Sequence, residues 1–154
     1  MLKSKLFICL VMISSLLLGS AIGSTPGMAL SLDRCQSKPC ELLSEATLRL
    51  ESAVELLETG GQFIVLTKVM VRAKLRIAKL KVKHAELLLR RCSRTFPDEI
   101  PESYRTELRE AKKLINRAIL SSLRIRGSAE AIIEKIYLAI DQVEEISTSL
   151  GCLE

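Results

Sequence analysis

QFIVLTKVMVRAKLRIAKLKVKHAELLLRRCSR, residues 62–94, decides the fold. It carries ten Lys or Arg against one acid, Glu86, and has no proline or glycine inside it, yet more than half of its positions are apolar. Two rows account for the mixture. Val71, Leu75, Ala78, Val82, Ala85, Leu89 and Cys92 recur at alternating spacings of four and three, and Leu66, Met70, Ala73, Ile77, Leu80 and Leu87 form a second row. Residues 71–82 also partly alternate apolar and basic, as a strand would. The helical spacing persists far beyond the usual strand of about 5–6 residues, and no turn residue interrupts it. The stretch therefore predicts one long helix, and its two apolar rows predict two packing neighbours.

Working outward from this helix, Pro97 and Pro101 frame Asp98 and Glu99 in a break. A third helix opens at Pro101 and Glu102, with a seam of Tyr104, Leu108, Ala111, Ile115, Ala118, Ser122 and Ile125, and ends at Gly127. Ser128 caps a fourth, whose buried row runs Ala129, Ile132, Ile136, Ala139, Val143, Ile146 and Leu150 before Gly151 closes it. On the other side, Gly60 and Gly61 stop a first helix with the stripe Leu43, Ala46, Leu50, Ala53 and Leu57. Its start is set by Ser37 as cap, Pro39 in the first turn and Glu41 at the positive end of the dipole. The expectation is an all-α, antiparallel up-down-up-down four-helix bundle with a long second helix, one domain over residues 38–154.

The remaining residues speak to compartment. Lys3 and Lys5, an apolar run over residues 6–18, and then Gly19, Ser20, Ala21 and Gly23 outline a secretory signal peptide over residues 1–23, a cut as late as Ala29 also being compatible. The run is shorter than the ~20 residues that a spanning helix needs. Residues 24–37 have no periodic pattern and read as a mobile leader. Cleavage removes Cys9 and leaves Cys35, Cys40, Cys92 and Cys152, an even set that in an exported chain implies two disulfides. The short ligand spacings of a zinc site are missing. In the bundle, Cys40 begins helix one, Cys92 ends helix two and Cys152 follows helix four, so with nearby Cys35 all four gather at one pole. The favoured pairing is Cys40 with Cys92 and Cys35 with Cys152, and the alternative is Cys35 with Cys92 and Cys40 with Cys152. Each bridge closes a long loop, for which chain entropy gives about 4 kcal/mol.

Net charge is +5 and falls to +3 once Lys3 and Lys5 are gone. At about 100° per residue, Lys68, Arg72, Arg76, Lys79, Lys83, Arg90 and Arg94 share one face of helix two. This is a candidate surface for a polyanion or an acidic partner. The favoured reading is a solvated face compensated by Glu51, Glu55 and Glu58 of helix one and by Glu130, Glu134, Asp141, Glu144 and Glu145 of helix four. No aromatic interleaves with the cations, as stacking on bases would require. Lys74 and Lys81 fall between the two apolar rows. A first helix of this length is also about 15 Å shorter than the second at 1.5 Å per residue. Phe63, Ile64, Val65 and Leu66 occupy the excess, either folded over the core as a cap or standing as an apolar tip for a partner or lipid.

Catalytic signatures are missing. His84 is the single histidine, on the side of the second apolar row, and reads as structural at the core edge. No glycine-rich phosphate loop, nucleophile motif or haem-attachment motif occurs. The expectation is a secreted or periplasmic, non-enzymatic interaction or structural protein with a protein partner and no cofactor, metal or small-molecule substrate. The alternatives are a secreted protein inhibitor or signalling ligand, and a peripheral binder of polyanions or membrane surfaces through the basic face of helix two.

Overall fold

The computed structural model describes residues 30–59, 64–123 and 128–152. They form four helices, α1 (Leu32–Thr59), α2 (Ile64–Thr95), α3 (Ser103–Leu123) and α4 (Ala129–Ser149). Each of α1 and α3 packs on both α2 and α4, while the diagonal pairs do not pack against each other. Cross-helix bonds fix the directions. A step back along α2 from Glu86 to Lys79 matches a step forward along α3 from Arg109 to Asn116. The Tyr104 hydroxyl, at the start of α3, donates to the Ser149 carbonyl at the end of α4 at 2.9 Å. Disulfides tie the first turns of α1 to the last turn of α2 and to the residue beyond α4. The bundle is antiparallel throughout.

The core follows from the inward rows. All seven residues from Val71 to Cys92 in the first row of α2 are buried, against Leu43, Ala46, Leu50 and Ala53 of α1, Leu108, Ala111, Ile115 and Ala118 of α3, and Ile132, Ile136, Ala139, Val143 and Ile146 of α4. Alanine recurs on every helix at these positions, letting the backbones approach while Leu, Ile and Val fill the space between. Ser128 caps α4 by accepting the Ala131 N–H at 3.2 Å. At the other end Gly151 takes φ +74°, so that the Cys152 N–H reaches the Ser147 carbonyl and the Gly151 N–H that of Thr148. This reversal turns Cys152 back toward α1. Ala129, expected inside, is exposed.

Several expectations are corrected. The first helix begins at Leu32, because Ser31 Oγ accepts the Arg34 N–H at 3.3 Å and Asp33 sits in the first turn. Pro39 is buried inside the helix, and residues 32–37 are helical rather than leader. The pairing is the alternative one, Cys35–Cys92 and Cys40–Cys152. Continuation of α1 past Cys40 is the reason: five residues on a helix turn through about 140°, so Cys35 and Cys40 face different neighbours, and Cys35 stands at the height of the end of α2. Helices of 28 and 32 residues also remove the length mismatch that called for a cap. Leu66 is 60% exposed and does not close over the core. Phe63 and the side chains of Ile64 and Val65 lie outside the described residues, as do residues 1–29, Gly60, Gly61, Ile125 and Gly127.

Candidate interaction surface

The second apolar row of α2 meets no neighbour. Leu66, Met70, Ile77, Leu80 and Leu87, with Val69 beside them, are 40–60% exposed, and Ala73 and His84 on the same line are exposed too. In a square bundle one broad inward face serves both neighbours of a helix, so the row diametrically opposite is left to solvent. The expectation of two neighbours, one per row, is wrong for that reason, and His84 stands in water rather than at a core edge. The spacing of four and three runs without a break from Leu66 through His84 to Arg91, the pattern of coiled-coil a and d positions. Six of the large apolar side chains exposed among the described residues belong to this one helix.

Basic residues border the row on both sides. Toward α3 lie Arg72, Arg76, Lys79, Lys83, Arg90 and Arg94, with Lys68 on the same face. Lys79 Nζ donates to Asn116 Oδ1 at 2.7 Å, and Arg72 Nε to the Lys68 carbonyl at 3.0 Å. Among the described residues none of these six makes an ion pair. The acids of α4 do not reach them, because α4 is the diagonal helix. Toward α1 lie Lys74 and Lys81; Lys81 pairs with Glu45 of α1, and that hydrogen bond holds the Glu45 carboxyl below the usual carboxylate range. Lys81 thus sits between the rows by reaching around to the neighbouring helix.

Glu86, the one acid of α2, is nearly buried in the α2–α3 interface. Arg109 Nε donates to its Oε1 at 3.0 Å and Lys112 Nζ donates to Oε2. Burial pushes the carboxyl up, but these two cations outweigh it and its pKa lies below the ordinary value. The only carboxylate among ten cations was the available signal for this contact, and residue spacing within α2 names no partner on α3.

Among the described residues no three His, Cys, Asp or Glu side chains gather as a metal site would need, and no helix is long and apolar enough to cross a membrane. Neither a protein-family model, nor a curated protein sequence, nor a solved structure matches the chain. The functional reading rests on the geometry of α2.

Proposed function

We propose that this is an exported, non-enzymatic interaction protein that holds an acidic-flanked helix of a protein partner along the outward face of α2. The observation that carries the reading is the exposed heptad row between two basic borders. Its seam is narrow and strictly periodic, as a helical partner requires. Two disulfides and the signal-like residues 1–23 support an oxidising, extracytoplasmic compartment.

Magnitudes say why charge matters. Each half-exposed side chain has about 1 kcal/mol of burial still to gain, so the row offers on the order of 5 kcal/mol. That only matches the low end of what association costs, at least about 4 kcal/mol. The borders must contribute as well. They also select the partner: flanking positions Lys74, Arg76, Lys81, Lys83 and Arg90 are all cationic, so pairing α2 with itself in either direction opposes like charges.

The test is titration with a synthetic four-heptad peptide bearing Leu in its seam and Glu on its flanks. It should bind, and binding should weaken about tenfold when salt rises from low to several hundred millimolar. A Lys-flanked peptide should not bind. Ile77→Asp with Leu80→Asp should abolish binding without lowering the melting temperature, because both side chains are exposed. Unchanged binding by that double variant refutes the surface. Failure of the acidic peptide together with variant-sensitive binding to anionic vesicles assigns the face to a membrane instead.

A further inference from the structure

We propose that a tetrahedral oxyanion group, carried as a monoester on a larger molecule, binds where the end of α2 meets the start of α3. A cavity of about 310 Å³ lies there, lined by Arg90, Ser93 and Arg94 from α2, by Ile100 and Glu102 from the connecting turn, and by Arg105 from α3. Three guanidinium groups thus face one carboxylate, and guanidinium forks suit tetrahedral oxyanions.

The fold accounts for the arginines only in part. Arg105 donates through Nη1 to Glu102 Oε1 at 2.7 Å, but its Nε–H is buried and has no acceptor. That buried donor without a partner leaves Arg105 one hydrogen bond short at this end of the bundle. Neither Arg90 nor Arg94 forms an ion pair among the described residues. A cation at the end of α2 suits the helix dipole, which explains Arg94 but not Arg105, ten residues beyond that helix's last residue and on the opposite wall.

The walls are held in place before any ligand arrives. Cys92, two residues before Arg94, is bonded to Cys35. The Phe96 N–H donates to the Cys92 carbonyl at 2.7 Å and the Ile100 N–H to the Phe96 carbonyl at 3.0 Å, while the Ile100 side chain is buried. A backbone fixed in this way has no ordering left to undergo on binding. The cavity is at the lower end of the ~300–1,000 Å³ range of small-molecule sites, larger than one four-oxygen ion fills, and the exposed Pro97 ring offers an apolar contact to the organic part of an ester.

Calorimetric or NMR titration of the oxidised protein with inorganic sulfate, inorganic phosphate, phenyl sulfate and phenyl phosphate, each against sodium chloride at matched ionic strength, tests the site. The esters should bind more tightly than the free ions, and their relative affinities tell a sulfated from a phosphorylated source. Arg94→Gln and Arg105→Lys should each weaken the better ester about tenfold. Arg72→Gln with Arg76→Gln, on the same helix but away from the cavity, should change it less than about twofold. Should Arg105→Lys disturb the fold, Arg90→Gln, an exposed position, carries the same test. Equal weakening by Arg72→Gln with Arg76→Gln, or equal response to chloride, overturns the site in favour of a diffuse cationic field.

Discussion

Glu86 stands alone among ten cations on α2, and its place at the α2–α3 interface makes it a structural anion. Burial by itself would raise its pKa, but Lys112 and Arg109 bring the folded value below that of a free carboxylate, about 4.3. A lowered folded pKa means that its contribution is complete above the unfolded value and is lost as pH falls through the folded one. Glu86→Gln should therefore cost about 1–2 kcal/mol in urea unfolding at neutral pH, a figure kept low because Arg109 is nearly half exposed. The difference from the parent should be complete above the unfolded value, shrink as pH falls through the lowered folded value and vanish below it. A penalty that is the same at pH 2 would show that shape, rather than charge, makes Glu86 necessary. None of this was legible from α2, because the register between two helices is set by the whole bundle.

At the scale of the element, α2 shows what periodicity reveals and where it stops. Both rows obey the same spacing, so spacing alone presents both as packing faces. The row from Val71 to Cys92 is uninterrupted by any polar residue, whereas the line from Leu66 meets His84 and then Arg91. That interruption distinguishes a row that must be dry from one that can be wet. The start of α1 departs from the local pattern for a different reason. Local chemistry favours a helix beginning near Pro39, since a proline deeper inside leaves the carbonyl of Cys35 without its usual donor. The structure keeps the helix going to Leu32 because a cap at Ser31 and two bridges on either side of Pro39 hold the first turns against the bundle. With both disulfides reduced, α1 should retreat to about Pro39. Hydrogen exchange should then show the amides of residues 34–38 losing protection while those of residues 46–54 keep theirs. Unchanged protection at residues 34–38 would mean that the cap alone sustains the early turns.

For the molecule as a whole, fold class, helix number and the gathering of four cysteines at one pole were legible in the sequence, because amphipathic spacing and turn residues fix helix ends. Pairing was not, since it depends on a rotation of about 140° along α1 that only a correct helix start reveals. Charge is divided across the square: α2 has ten cations to one acid, and the diagonally placed α4 has five acids to one lysine. Self-compensation across that diagonal is geometrically closed, which leaves the cations of α2 directed outward.

The cysteine pole also decides how the protein carries tension. A pull applied between residue 30 and residue 152 enters α1, reaches Cys40 and crosses directly to Cys152, so α2, α3 and α4 lie in a closed loop that feels no stretch. In a single-molecule experiment the oxidised protein should lengthen by no more than about 35 Å, the reach of the ten residues before Cys40. After reduction the same handles should separate to about 400 Å as the whole chain pays out. A long extension before reduction would show that the Cys40–Cys152 clasp is open. With the clasp shut, α2 keeps its shape even while the ends of the protein are under strain.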